Sequence, residues 1–376
     1  MGNEAADADS IVSSLCLAYH KDACRAADAT DAAADRNPLY VPVISVPRGD
    51  LPLRQDAVLL LSRAGVGTDD MVFSDEVDLQ GMHSSGRLCL TLTDHNALSS
   101  GLASLDSAVL EIVDHHSDLG QHSHVSGAAR DIAFADGSPK VGSACTLIAE
   151  RLLKSAPPDA VTPQIAMLLM GVIAVDTINL NPQAKRATPR DVAALEALEP
   201  LSADAAGNRV TRDELFEALR SAKFDARFWR SLSVADCLRY DYKHGDCDSC
   251  GGRSVGLSAV LMRLDEFLAK ERAADALLRR IRDEHLDLLG VLMFVTEPEP
   301  LRQLLLVDAR EDGALLSALK RCLAERAGGL ELREMNVPAE VREALGGARV
   351  VAFAQGNVAA SRKQVAPALL ECLSKL

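Results

Sequence analysis

Residues 109–116 read Val109-Leu110-Glu111-Ile112-Val113-Asp114-His115-His116. A short run rich in β-branched and apolar residues, followed at once by an acid and two imidazoles, is the pattern of a buried strand that delivers polar groups at its carboxyl end. The pattern recurs upstream, where the apolar run 88–93 is followed by Asp94-His95-Asn96. In open parallel sheets a ligand lies beyond the carboxyl ends of the strands, so both clusters are expected at one rim. Asp7 and Asp9 stand just before an amphipathic helix expected over 10–19, and Asp176 ends a nearly all-apolar helix expected over 162–175. Taken singly, each has an ordinary reading as a helix cap or strand-end turn. Together they are four acidic or histidine clusters with one use in common. Carboxylates gathered this way repel one another unless cations neutralise them, and carboxylates plus imidazole suit Mg²⁺ or Mn²⁺ better than a thiolate-preferring metal.

Around these clusters the first 190 residues alternate helical and strand patterns, which predicts an α/β domain with a largely parallel sheet. Further expected elements are a strand over 41–46 and helices over 53–63, 142–154 and from Thr188-Pro189 to Pro200. The small, polar stretch after Leu201 reads as a linker and hinge, giving domains 1–200 and 211–376 joined by 201–210. The second domain is a smaller α/β unit with strands over 291–295, 303–307 and 350–354 and charged helices over 264–284 and 313–326.

Composition narrows the function. The 376 residues are 48% hydrophobic and 25% charged, ordinary for a globular protein, and the length favours two cores over one. Acids exceed bases by fourteen and aromatics are only 3%, which disfavours nucleic-acid partners, since these need many cations or stacking rings. The longest apolar run, 165–175 around Gly171, is far short of the ~20 residues of a bilayer span. No leader is expected, and Met1-Gly2 is not a myristoylation site because Ala6 stands where Ser or Thr is needed. Nine scattered cysteines fit reduced thiols, with Cys16, Cys89, Cys145 and Cys322 inside apolar runs. Cys247 and Cys250 supply only half of a zinc site and read as a loop. The expected compartment is the cytoplasm; Ser374-Lys375-Leu376 spells a peroxisomal import tripeptide and makes a peroxisome-type organelle the alternative.

The ordered series Asn3…Asp7-Ala8-Asp9, Asp94-His95-Asn96, Asp114-His115-His116 and Asp176-Thr177 resembles the DHH phosphoesterase superfamily. Within it the chain is similar to the exopolyphosphatase, prune-like branch, with family II inorganic pyrophosphatases as cousins. The similarity extends through residues 43–54 and 73–79, and Ala360-Ser361-Arg362-Lys363-Gln364 resembles the phosphate-binding motif of a carboxy-terminal DHHA2 domain. The resemblance implies a DHH domain followed by a DHHA2 domain, with the active site in the cleft between them. It implies Asp7, Asp9, Asp94, His115 and Asp176 as ligands of two divalent cations, Asp94 bridging them. Mg²⁺ is the expected metal, with Mn²⁺ or Co²⁺ able to substitute. His116 is then placed at the leaving oxygen, and Arg362 and Lys363 on substrate phosphate. A helix start at Ser361 independently favours an anion there. His95, Arg48, Arg54, Lys185, Arg186 and Arg190 are candidates for contacting further phosphates of a chain substrate.

Two departures matter. Related pyrophosphatases carry a histidine where this chain has Asn3, whose neutral oxygen is a weak or indirect ligand; this points to the exopolyphosphatase branch and to Mg²⁺. Family members also have a strand before the Gly-Asn-Glu segment, whereas here Met1-Gly2 precede Asn3, so Asp7 and Asp9 are expected to be held less firmly. The activity implied is hydrolysis of the terminal phosphoanhydride of inorganic polyphosphate. The rivals are hydrolysis of pyrophosphate, short polyphosphates or nucleotides, and a non-catalytic interaction scaffold.

Overall fold

The computed structural model describes residues 1–28, 38–157, 159–245 and 252–376. The Cys247/Cys250 pair lies outside these residues. The chain divides into two compact units, Met1–Lys223 and Phe224–Leu376.

Unit 1 runs α1 (Ala8–Asp28), β1 (Val43–Ile44), α2 (Gln55–Arg63), β2 (Val72–Phe73), α3 (Leu79–Ser84), β3 (Leu90–Thr93), β4 (Val109–Asp114), β5 (Arg130–Ile132), β6 (Phe134–Ala135), β7 (Ser138–Pro139), α4 (Ala144–Ser155), α5 (Pro163–Asp176), α6 (Pro189–Leu198) and α7 (Arg212–Lys223). β3, β4 and β5 pair in parallel, as do β1 and β2, whereas β6 and β7 form a small antiparallel hairpin. The expected strand over 41–46 is reduced to the two residues of β1. α5 is the central helix: Ile165 to Ala174 are buried on every side, as an all-apolar helix requires. It starts cleanly because Thr162 caps Ile165 N–H and Pro163 takes the first turn. α1, α4 and α7 pack against it, with Ile11, Val12 and Cys16 of α1 and Leu147 and Ile148 of α4 in the shared core.

Residues 1–3 take a strand-like place beside β3. Met1 N donates to Thr91 O (2.7 Å), Thr93 N donates to Met1 O (3.0 Å), and Ser45 Oγ just beyond β1 donates to Gly2 O (2.6 Å). Gly2 must be glycine here, because a Cβ would lie 2.6 Å from that of Ser10. The expectation that Asp7 and Asp9 are loosely held is therefore corrected: the segment before them is hydrogen-bonded into β3.

The polar stretch 201–210 is hydrogen-bonded into unit 1. Ser202 is buried and donates to Leu198 O, Ala203 N donates to Pro163 O, and Ala203 bridges Arg209. These bonds fasten it to unit 1, and α7 beyond it packs on α2 and α5.

Unit 2 runs α8 (Ala226–Ser231), α9 (Val234–Tyr240), β8 (Asp241–Gly245), β9 (Val255–Val260), α10 (Leu264–Leu268), α11 (Ala273–Asp283), β10 (Leu288–Val295), β11 (Leu301–Asp308), α12 (Ala314–Arg326), β12 (Leu332–Met335), α13 (Ala339–Ala344), β13 (Val350–Gln355) and α14 (Arg362–Ser374). Its sheet has the order β12-β13-β11-β10-β9-β8 and is antiparallel except between β9 and β10. The single helix expected over 264–284 is broken. Arg272 adopts a left-handed conformation, and Lys270 Nζ donates to the carbonyls of Trp229, Arg230 and Leu232 at the end of α8. Cys322 on α12 and Cys372 on α14 form a disulfide, their Cα atoms 5.6 Å apart, within the normal range for such a bridge. This corrects the reading of Cys322 as a reduced thiol; Cys16 and Cys145 are free and buried, whereas Cys89 is exposed. Among the described residues no helix is long and apolar enough to cross a membrane.

Candidate metal centre

The centre is built from the ends of β3 and β4 and the beginnings of α1 and α4. Asp94, just past β3, is held in a left-handed conformation (φ 63°) and its N–H donates to Val113 O of β4 (3.0 Å). Aspartate tolerates that conformation better than most residues. One carboxylate oxygen, Oδ2, accepts from Asn3 Nδ2 (2.8 Å) and Ser10 Oγ (2.7 Å). The other, Oδ1, is buried without a hydrogen bond among the described residues, 3.4 Å from His115 Nε2 and 3.6 Å from His116 Nδ1. Burial, followed by the charges of Asp9 and Asp7, pushes the Asp94 carboxyl up to about 7.

His115 Nδ1 lies 3.2 Å from Val141 O. A carbonyl only accepts, so Nδ1 carries a hydrogen, and Nε2 faces Asp94 and, at 3.8 Å, Asp9 Oδ2. That is the posture of a metal-ligating imidazole with its other nitrogen anchored to the backbone. Asp9 sits at the start of α4: Ser143 Oγ (2.7 Å), Ala144 N (2.8 Å) and Cys145 N (2.9 Å) all donate to it. Helix N–H groups and dipole thus hold one anion of the cluster in place. Asp7 Oδ1 accepts from Ser10 N (3.1 Å), so Asp7 also performs the helix-capping role open to it from sequence.

Asp176 closes α5. The residue is half-buried but its Oδ2 is fully shielded and has no hydrogen-bond partner among the described residues. Burial, then Asp9 and Asp7, raise its carboxyl well above the usual range, with Lys223 and then His115 acting the other way. The structure therefore gathers Asp94, His115 and His116 tightly, sets Asp9 beside His115, and places Asp7 and Asp176 within electrostatic reach. Two buried carboxylate oxygens without hydrogen bonds are costly unless a cation completes them. The donor set, carboxylates plus an imidazole nitrogen, fits a hard divalent ion.

Asp114 does other work. Its Oδ1 accepts from His115 N (2.7 Å), His116 N (3.2 Å) and His116 Nδ1 (2.8 Å), while Oδ2 accepts from Asn96 Nδ2 (2.6 Å). Burial alone would raise this carboxyl, but the His116 and Asn96 hydrogen bonds and the nearby imidazoles hold it well below the usual carboxylate range. Asn96 also donates to Ser117 O and accepts from Leu119 N, stapling the loop after β3 to the loop after β4. Asn96→Ala is expected to lower turnover about 10–100-fold, as outer-shell losses at metal sites do; steady-state assay beside a thermal melt checks that the loss exceeds any destabilisation.

The cationic candidates separate. Arg54 is 2% exposed and donates to the carbonyls of Asp50, Ala5 and Ala6, bracing the turn before α1. Its assignment to substrate is corrected: burial has turned it into a backbone anchor. Arg48 pairs with Glu76, donates to Thr68 O and Met71 O and lies over the Phe73 ring, so it too is a brace. Arg190 is paired with Glu150. Lys185 and Arg186 are exposed and form no ion pair among the described residues. His95 is half-buried with Nδ1 2.9 Å from Thr93 O. Asn3 Oδ1 accepts from Ala5 N (2.9 Å) while its amide holds Asp94, a supporting role. In unit 2, Ser361 caps α14 reciprocally with Gln364, Arg362 is half-buried and Lys363 exposed.

The sequence reading passed over Asp191. It is fully buried and accepts from Gly142 N, Thr146 Oγ1, Thr188 N and Thr188 Oγ1, tying the approach to α4 to the start of α6. The Thr188-x-x-Asp191 spacing, a capping-box signature, was the available signal.

A model of the DHHA2 domain matches residues 217–372. Exopolyphosphatase PRUNE1 of Rattus norvegicus is 33% identical over 376 residues, covering all of this chain and 75% of that protein. The putative exopolyphosphatase of Schizosaccharomyces pombe is 28% identical over 392 residues, covering all of this chain and 90% of its own length. A putative family II inorganic pyrophosphatase of Methanococcus jannaschii shares the fold, with a TM-score of 0.63 at 20% identity over 99% of this chain and 98% of that one. Fold and relatives together define a hydrolase of phosphoanhydrides. The chain belongs to the prune-like exopolyphosphatase family of the DHH superfamily.

Proposed function

We propose that this protein is an exopolyphosphatase that hydrolyses the terminal phosphoanhydride of inorganic polyphosphate and releases orthophosphate. The observation that carries the reading is the pair of buried, hydrogen-bond-deficient carboxylate oxygens of Asp94 and Asp176 grouped with His115. Two divalent cations, Mg²⁺ by preference, held by Asp7, Asp9, Asp94, His115 and Asp176, would supply the positive charge that activates a water and offsets the phosphate charge.

The protein's own groups do the remaining work. Asp114, ionised throughout the neutral range, takes the Nδ1–H of His116 and keeps that ring oriented, leaving Nε2 to donate to the leaving oxygen. Ser361, Arg362 and Lys363 bind substrate phosphate at the start of α14, where backbone N–H groups and dipole add to the two cations. Lys185 and Arg186, with His95, hold the chain beyond the terminal group. Unpaired surface cations suit a polyanion that lengthens the substrate without entering the chemistry.

The test is phosphate release from long-chain polyphosphate and from pyrophosphate, side by side, with Mg²⁺ and with chelator. Metal-dependent release from the long chain, with little from pyrophosphate, is expected. A preference for pyrophosphate moves the protein to the pyrophosphatase side, and no release from either substrate overturns the exopolyphosphatase reading. Arg362→Ala is expected to raise KM for the long chain by roughly 10–100-fold, the worth of a charge-assisted contact of about 1.5–3 kcal/mol.

A further inference from the structure

The approach to the phosphate-binding segment is fixed by backbone contacts. Gln355 and Arg302 are register partners on β13 and β11. Gln355 Nε2 donates to Asn357 O and Ala360 O (2.6 Å each), and Arg302 Nε donates to Val358 O (2.7 Å). Asn357 Nδ2 donates in turn to Gly329 O (2.8 Å). The 356–360 loop therefore delivers Ser361 to its capping position with little freedom, and the torsions of the Arg362 side chain remain to be set. Asp241 sets them. It stands at the junction of α9 and β8, and α14 lies along β8: a Cβ on Gly245 would come 3.3 Å from Leu370.

Arg362 Nη1 donates to Asp241 O (3.1 Å) and lies 2.9 Å from Asp241 Oδ1. Both groups are about four-fifths buried, with 20% and 23% side-chain exposure. These contacts employ one end of the guanidinium. Nε and Nη2 have no partner among the described residues, and they form the edge that offers two parallel N–H bonds to a phosphate. We infer that Asp241 is a positioning residue: it pins Nη1 of Arg362 so that the Nε–Nη2 edge is presented as a ready-made fork for substrate phosphate. The inference rests on the substrate role of Arg362 given above. An unpinned arginine would have to give up side-chain entropy on binding, and pinning removes that cost in advance. The carboxylate also screens part of the guanidinium charge, so the arrangement favours geometry over raw attraction.

The readout is KM against kcat for long-chain polyphosphate with Mg²⁺, with a thermal melt of each variant as a folding control. Asp241→Ala is expected to raise KM about fivefold to tenfold with kcat within about twofold, equivalent to about 1 kcal/mol of lost preorganisation. Asp241→Asn, which keeps a side-chain oxygen in the Oδ1 position beside Nη1, is expected to restore most of the loss. Arg362→Lys, which keeps the charge but has no fork, should match Asp241→Ala or exceed it. In an Arg362→Ala background, Asp241→Ala should add nothing. The positioning role is overturned if Asp241→Ala leaves KM unchanged or lowers it, the second being the result of simple charge competition. It is equally overturned if Asp241→Ala raises KM as much without Arg362 as with it. A wild-type KM for Arg362→Ala would instead remove the substrate role of Arg362, and the inference with it.

Discussion

Asp94→Asn is expected to lower phosphate release from polyphosphate roughly 1,000-fold, because the charge-neutralising term at such sites is worth several kcal/mol and each 1.36 kcal/mol is tenfold in rate. The loss should come without unfolding. In the wild type Oδ2 accepts from Asn3 and Ser10, and Oδ1 faces His115 Nε2 at 3.4 Å. An amide oxygen can keep the first two bonds, and its NH₂ can donate to His115 Nε2. The substitution thus satisfies the apo site while consuming two of its donor positions. In chelator the variant should melt no lower than the wild type; in Mg²⁺ it should lose most of the wild type's gain. Wild-type activity in a well-folded Asp94→Asn protein would remove Asp94 from the metal centre.

The second large effect is on stability. The Asp94 carboxyl is raised from 3.8 to about 7 by burial and by Asp9 and Asp7, and Asp176 is raised in the same sense. In metal-free protein the folded state therefore binds these protons more readily than the unfolded chain does. Stability is then present in full near pH 4 and falls as pH rises toward 7, by on the order of 4 kcal/mol for Asp94. Asp114 is held low, so its stabilisation is complete above about pH 4 and is lost only below that, and it does not oppose the trend. Divalent cation should reverse the slope, since it binds the deprotonated carboxylates and its affinity grows with pH. At a thousandfold excess over Kd it stabilises by about 4 kcal/mol. Thermal melts at pH 5 and pH 7.5, in chelator and in Mg²⁺, check both signs. Midpoints indifferent to pH and to Mg²⁺ would mean that the acidic cluster is not a cation site.

Much of this centre was legible in the chain order. Asp94 and Asp114-His115-His116 follow apolar strand runs, and a parallel strand ends at the rim where ligands bind, so period and polarity alone placed them. The same holds for α5, whose all-apolar run delivers Asp176, and for the helix start at Ser361. The β8 edge of unit 2 was not legible, because Asp241–Gly245 is polar and its strand state comes from pairing with β9. The break between α10 and α11 was hidden for a similar reason: Lys270 turns toward carbonyls that are distant in sequence.

Sequence by itself determined the fold class and the acidic and histidine clusters, since these follow from local period and donor type. Tertiary structure decided which charges are free to act. Arg54 and Arg48 look like substrate cations in the chain but are consumed by backbone carbonyls and Glu76. Asp114, one of the clustered acids, orients His116, and Asn3 braces Asp94. It also decided that residues 1–3 bond along β3 and that Asp241 holds Arg362. The physical reason is common to all of these. A charged side chain's role depends on whether its hydrogen-bonding atoms are already satisfied, and the partners that satisfy them are brought in from elsewhere in the chain by folding.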